Sequence, residues 1–317
     1  MVKGDLHCQQ QLIDFASKID VFTFEFENVN INALQSLPLP IYPALKALEI
    51  AQDRQLEKQC LIDNNVPVAN YIIVNNISEL KNVSDKINWP CIAKTCRDGY
   101  DGKGQMVVRD QQQLETFFCA MQQRIIVEDK IAFDRELSII AVRSQQGNIL
   151  YYPLIENQHE QGMLHLSRIA KVNEALQTQA QNYAKTILES LAYVGVLVIE
   201  FFQQGEKLLA NEMAPRVHNS GHWTVEGART SQFENHLRAV CGLPLQPTDL
   251  VKPTAMLNII GQIPDMQSLC NVSELHWHDY GKVARPKRKL GHITLCAQDE
   301  QQLSAKINTV NKVVFPI

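Results

Sequence analysis

The chain has 317 residues, 45% of them hydrophobic and 20% charged, with a formal net charge of −4 at pH 7 and a pI near 6.1. This length and apolar content predict a large core divided between two or three domains, and the mildly acidic balance argues against nucleic-acid or membrane-surface partners. No apolar run approaches a membrane span, the opening residues carry no apolar signal core, and eight scattered cysteines without a CxxC pair read as reduced thiols of the cytoplasm.

Segment 21–27 alternates three phenylalanines with Thr and Glu, which predicts a strand. Residues 44–64 have helical spacing and end before Val66-Pro67. Short strands are expected at 71–74, at 92–94 with Lys94 at its end, at 106–108 as its hairpin partner, and at 125–128. The Gln-rich stretches 9–11 and 111–113 read as helix or loop surface. Strands at 136–142 and 149–154 flank the turn Gln146-Gly147-Asn148, a helix covers 175–191, and strands at 194–202 and 208–211 enclose Gln203-Gln204-Gly205-Glu206. A helix at 233–241 closes on Gly242, strands follow near 256–260, 275–277 and 293–295, and a helix ends the chain near 300–309. Helix–strand alternation at the ends and hairpins in the middle predict an α/β chain with an α+β centre.

Lys94 stands at the end of an apolar run, before a loop with glycines at 99, 102 and 104. Such a loop can bring backbone N–H groups onto phosphate oxygens, and the lysine adds the charge a polyphosphate needs. The order differs from a Walker loop, so a solvated glycine hairpin remains equally open on these residues alone. Glu200 lies within an otherwise apolar strand and Glu212 lies on the strand after a short turn. Folding that hairpin puts the two carboxylates at or near facing positions, roughly 4.5–5.5 Å apart between Cβ atoms. Their repulsion calls for something positive between them, and a hard divalent cation with oxygen ligands suits the pair, with Asn219 as a third donor. The following stretch, Arg216-Val217-His218-Asn219-Ser220-Gly221-His222-Trp223, is dense in recognition groups and lacks apolar periodicity, so it is expected to line a site.

Taken in order, Asp53-Arg54, Lys94, the loop from Gly99 to Gln105, Phe133-Asp134-Arg135-Glu136, Asn157 with His159, Glu200, Asn211-Glu212, Arg216 to Trp223, and Arg285-Pro286 with Arg288 to His292 resemble ATP-grasp enzymes. The nearest resemblance is to the 5-(carboxyamino)imidazole ribonucleotide synthases of purine biosynthesis. The resemblance implies an ATP-grasp fold with an N-terminal parallel-sheet domain over 1–57, an ATP-grasp domain over 58–242 and a small C-terminal domain over 243–317. It implies that Arg54 and Lys94 contact ATP phosphates beneath a flap of Gly99, Tyr100, Asp101, Gly102, Lys103, Gly104 and Gln105. The backbone of Glu128, Asp129, Lys130 and Ile131 would hold the adenine edge, Glu136 the ribose, and His159 and Asn211 would lie near the nucleotide. Glu200, Glu212 and Asn219 would bind magnesium, with manganese as an alternative. Tyr100, Arg216 and His218 would face bicarbonate and aminoimidazole ribonucleotide, whose phosphate would meet Lys282, Arg285, Arg288 and Lys289. The implied reaction forms carboxyphosphate from ATP and bicarbonate, then carboxylates the amine, in a cytoplasmic homodimer.

The family usually opens with a strand, a Gly-x-Gly-Gln-Leu turn, a helix and a second strand. This chain starts shortly before the segment 21–27, so the N-terminal domain is expected to lack about two β–α units and part of the cover over Phe22, Phe24 and Phe26. Two other readings stay open here: a formate-using ATP-grasp ligase of the glycinamide ribonucleotide transformylase type, and a remnant that binds nucleotide without turnover.

Overall fold

The computed structural model describes residues 4–5, 8–99 and 102–315. Four helices come first: α1 (Gln9–Ala16), α2 (Ile31–Gln35), α3 (Leu45–Ala51) and α4 (Arg54–Asp63). The expected strand at 21–27 is not one. Phe22 makes a single parallel bridge to Ile41, and no named strand forms there. An extended segment becomes a strand only with a continuous ladder partner, so the phenylalanines pack instead as an irregular layer. Phe22 and Phe24 are buried against α1 and α2, and Phe26 is 58% exposed. The expected helix 44–64 is two helices. Asp53 breaks it by leaving helical geometry and accepting a hydrogen bond from the Gln55 N–H as N-cap of α4. The expected domain border between 57 and 58 falls inside α4.

A small antiparallel sheet follows: β1 (Tyr71–Val74), β2 (Cys91–Thr95), β3 (Gln105–Val108) and β4 (Ile125–Asp129), in the order β1-β4-β2-β3, with α5 (Gln111–Met121) against it. The larger sheet begins with β5 (Arg135–Arg143), β6 (Ile149–Tyr151), β7 (Ile155–Glu160) and β8 (Met163–Ile169). After α6 (Glu174–Ser190) it continues with β9 (Gly195–Gln204) and β10 (Lys207–Ala214). The short α7 (Thr224–Gly227) and α8 (Gln232–Val240) precede β11 (Thr254–Ile260), β12 (Leu275–Asp279), β13 (Lys289–Cys296) and the closing α9 (Glu300–Val314). The sheet order is β10-β9-β5-β7-β8-β11-β13-β12, with β6 paired to β5. Because β11 pairs with β8, the C-terminal strands extend the same sheet. Sequence reasoning missed β7 and β8, whose polar residues hide the alternation, along with α2; the stretches 9–11 and 111–113, read as helix or loop, begin the helices α1 and α5.

Both faces of β5 and β9 are covered, which explains their nearly continuous apolar runs. Leu137, Ile139, Leu197 and Ile199 pack under α6. Ile140, Val142, Val196 and Val198 pack against Trp223 and Ala239 on the opposite face. Glu200 falls on this second face by the two-residue period and emerges into the space between the sheets. Among the described residues, no helix is long and apolar enough to cross a membrane.

Candidate active site

A cleft of about 990 Å³ lies between the two sheets, and both contribute to its lining. Its floor is a buried ion network. Lys94 on β2 and Glu128 on β4 sit on one face of the small sheet and form an ion pair. Glu128 also pairs with Lys58 of α4 at 2.8 Å, and Lys58 is only 1% exposed. Burial works to raise the Glu128 carboxyl, but the two lysines hold it down to about 2. Burial pulls the Lys94 ammonium below its ordinary range, Glu128 opposes that, and Arg54 and Lys58 add to it. Glu128 therefore contributes through its side chain. Its backbone lies between β1 and β2, opposite Tyr71 and Ile92, while Lys130 and Ile131 line the cleft beyond the strand end.

Glu212 does face Glu200, but only through a bulge. Ala210 pairs with Phe201 and Glu212 with Glu200, leaving Asn211 as the extra residue. Were Asn211 paired in regular register, with no bulge, Glu212 would stand opposite Ile199, on the other side of the sheet. Helix α4 holds the bulge in shape. Lys58 Nζ donates to the Asn211 carbonyl at 2.8 Å, and the Met213 N–H donates to Glu57 Oε1 at 2.6 Å. Lys94 Nζ donates to Asn211 Oδ1 at 3.3 Å, which ties the two sheets together at the cleft floor. Lys58 and Glu57 escaped sequence reasoning because a helical Lys or Glu ordinarily reads as solvated surface.

Burial and the facing Glu212 raise Glu200 to about 7. Glu212, against Arg54 at 3.2 Å, stays low because Arg54 and Lys94 outweigh its burial. A pair of oxygen donors in which one carboxyl resists ionising beside the other fits a hard divalent cation. Asn219 lines the same cleft, and its Oδ1 accepts from Asn258 at 2.7 Å with a lone pair to spare. Burial, then Arg216 and Lys289, push His218 well below its ordinary value, so the ring is neutral. The Ser220 N–H donates to His218 Nδ1 at 3.3 Å, which leaves the proton on Nε2, 3.4 Å from Glu200 Oε1. Burial works to lower His159, but its bond to Glu136 and the nearby Glu200 bring the net shift upward. Arg216 Nε pairs with Glu27 at 2.8 Å, a partner from the N-terminal layer that the sequence did not single out.

Gly99, Gly102, Lys103 and Gln105 line the cleft, and Asp129, Lys130, Ile131 and Glu136 lie along its other side. Gly104 has φ +70°, and a Cβ there would meet Thr95 Oγ1 at 2.6 Å, so only glycine fits. Tyr100 and Asp101 lie outside the described residues. Lys282, Arg288 and Lys289 reach the cleft. Arg285 is absent from its lining; it stands exposed at the turn, where its carbonyl accepts from the Arg288 N–H at 3.1 Å.

A family model for the ATP-grasp domain matches residues 59–233, one for the phosphoribosylaminoimidazole carboxylase C-terminal domain matches 254–306, and one for the ribonucleotide synthetase preATP-grasp domain matches 1–52. The chain is 42% identical over 316 residues to the N5-carboxyaminoimidazole ribonucleotide synthase of Pseudomonas aeruginosa, which covers 99% of this chain and 88% of that one. The crystal structure of N5-carboxyaminoimidazole ribonucleotide synthetase from Thermus thermophilus matches with a TM-score of 0.93 at 43% identity, over 99% of this chain and 87% of that one. The Aspergillus clavatus N5-carboxyaminoimidazole synthase, solved with ADP and 5-aminoimidazole ribonucleotide, matches with a TM-score of 0.90 at 29% identity, over 99% and 86%. The chain belongs to the N5-carboxyaminoimidazole ribonucleotide synthases of the ATP-grasp enzymes.

Proposed function

We propose that the chain carboxylates 5-aminoimidazole ribonucleotide with bicarbonate at the expense of ATP, giving N5-carboxyaminoimidazole ribonucleotide, ADP and phosphate in purine biosynthesis. The observation that carries this reading is the cleft itself. It joins a buried Lys94, a facing glutamate pair and the basic residues Lys282, Arg288 and Lys289 in one enclosure. Bicarbonate oxygen attacks the γ-phosphorus, the bond to ADP breaks, and the carboxyphosphate formed is captured by the substrate amine with loss of phosphate. Such chemistry needs positioning and charge neutralisation more than covalent help.

In this reading Arg54 and Lys94 bind the phosphates, the free backbone at Lys130 and Ile131 takes the adenine edge, and Glu136 takes the ribose, with His159 and Asn211 beside the nucleotide. Magnesium, or manganese in its place, held by Glu200, Glu212 and Asn219, would neutralise charge on the phosphates. Arg216 orients the bicarbonate carboxylate, and neutral His218 keeps its proton on Nε2, directed at Glu200. Lys282, Arg288 and Lys289 receive the phosphate of the ribonucleotide, Arg285 being left out. The 99–105 loop, Tyr100 included, covers the site and keeps water from carboxyphosphate. The unpaired cysteines among the described residues support a reducing compartment, hence the cytoplasm, and a homodimer is the proposed assembly.

The test is ATP hydrolysis by purified protein with bicarbonate and magnesium, with and without 5-aminoimidazole ribonucleotide. Stimulation by the ribonucleotide is expected. Stimulation by formate instead would move the assignment to a transformylase, and nucleotide binding without turnover would reduce it to a binding protein.

A further inference from the structure

Behind the cleft wall lies a polar cluster that the reaction scheme does not use: His222, Tyr280 and His292, with His278 stacked on His292 at 4.4 Å between ring centroids. A backbone group fixes the donors and acceptors in it, and the bonds converge on His222 from both sides. Asn258 Nδ2 donates to the Leu164 carbonyl at 2.8 Å, which fixes which end of that amide is nitrogen. The same nitrogen donates to Asn219 Oδ1, so Asn219 Nδ2 points the other way, toward Asn258 Oδ1 at 3.0 Å and His222 Nδ1 at 3.3 Å. His222 Nδ1 is therefore an acceptor. The Tyr280 hydroxyl lies 2.9 Å from that nitrogen and 2.7 Å from His292 Nδ1. Two acceptors cannot face each other without a proton between them, so the hydroxyl's single proton goes to His222 Nδ1, whose one lone pair is shared with the Asn219 amide; the Tyr280 oxygen then accepts from His292, which must carry its proton on Nδ1. The buried Nε2 of His292 has no hydrogen-bond partner among the described residues, as suits an unprotonated nitrogen and not an N–H.

Two cleft residues hang on this chain. Asn219 is at one end, and the Lys282 ammonium sits over the Tyr280 ring at 4.9 Å from its centroid. A phenol anchored at its hydroxyl presents its face at a fixed place, and that face seats the cation. We propose that Tyr280 is a positioning residue for the acceptor side of the cleft, fixing Lys282 relative to Asn219 through the hydrogen-bonded chain Asn258, Asn219, His222, Tyr280, His292, whose bonds converge on His222. The proposal rests on the reading of Lys282 as part of the ribonucleotide site. It goes beyond that reading in assigning the ammonium's position to a side chain outside the cleft.

Tyr280→Phe removes the hydroxyl and keeps the ring; Tyr280→Leu removes both. The loss of about one hydrogen bond's net worth should raise KM for 5-aminoimidazole ribonucleotide by about five-fold in the Phe variant. Loss of the ring as well should raise it by about ten-fold or more in the Leu variant. In both, kcat and KM for ATP should stay within about two-fold of the parent. An unchanged ribonucleotide KM in both folded variants overturns the proposal. So do changes that move all three constants together with thermal stability, the signature of a merely structural role. A second readout needs no turnover. Imidazole nitrogen shifts should show His292 neutral and protonated on Nδ1 in the parent, and shifted toward the Nε2–H form in Tyr280→Phe. An Nε2–H His292 in the parent overturns the chain. Absence of ribonucleotide turnover in the parent would instead sink the proposed function, leaving the nitrogen spectrum to decide this inference.

Discussion

Glu128 accepts both Lys58 and Lys94, so one carboxylate compensates two buried ammonium groups. Glu128→Gln would leave those charges without a counter-ion, and breaking such a buried set should cost about 3–5 kcal/mol in urea unfolding at pH 7. The acid limb follows with its sign. The native carboxyl is held to about 2 against a reference of 4.5, so the native state binds fewer protons there, and stability falls as pH drops from about 4.5 to about 2. That limb should vanish in the Gln variant; an unaltered acid limb would remove Glu128 as its cause. Glu200 titrates the other way. With its carboxyl raised to about 7, protons compete with a cation, so the magnesium concentration giving half-maximal ATP turnover should rise as pH is lowered from 8 to 6. A pH-independent requirement would count against Glu200 as a ligand. At this scale the sequence was legible where chemistry is dense, at Lys94, Glu200, Glu212 and Arg216. It was silent on Lys58, Glu57 and Glu27, whose partners lie far along the chain.

Among elements, α4 and β10 decide the site. β10 is an edge strand of the larger sheet, and α4 satisfies its outer backbone groups with the Lys58 ammonium and the Glu57 carboxyl, keeping the bulge at Asn211 closed to other partners. Burial is the main force raising Glu57, to about 8. Between pH 4.5 and 8 the native state therefore holds a proton that the unfolded chain has released, and stability is lost as pH rises through that window. Glu57→Gln keeps the acceptor without the titration, so it should unfold near the parent value at pH 5 and be the more stable at pH 9. Glu57→Ala, which orphans the buried Met213 N–H, should cost about 1–3 kcal/mol. Denaturant melts at the two pH values distinguish these outcomes. Hairpin pairing was readable because apolar runs alternate with turn residues. The bulge was not, since an extra residue changes register without changing pattern. The helix break at Asp53 was written in the sequence as an N-cap, yet the apolar spacing across it hid it.

On the scale of the whole molecule, two antiparallel sheets meet around one cleft, and the Lys94–Asn211 bond crosses between them. A nucleotide bound there touches both sheets only in the folded state. ADP with magnesium at about 100 times its Kd should therefore stabilise the protein by about 2.7 kcal/mol, read as a raised melting temperature. Magnesium alone should give much less, and Glu212→Ala should lose most of the joint effect while remaining folded. An undiminished ADP shift in that variant would displace Glu212 from the nucleotide site. The sequence by itself determined the strand hairpins, the glycine loop, the paired carboxylates and the family, because these are carried by local pattern and by residue types at fixed spacing. Only the tertiary structure decided that Glu212 turns to Glu200 through a bulge, that the Glu128 side chain pairs with Lys58 and Lys94, that Arg285 stands outside the cleft and that segment 21–27 is no strand. Register, burial and charge compensation depend on what a distant segment places opposite each residue, and a linear pattern does not carry that information.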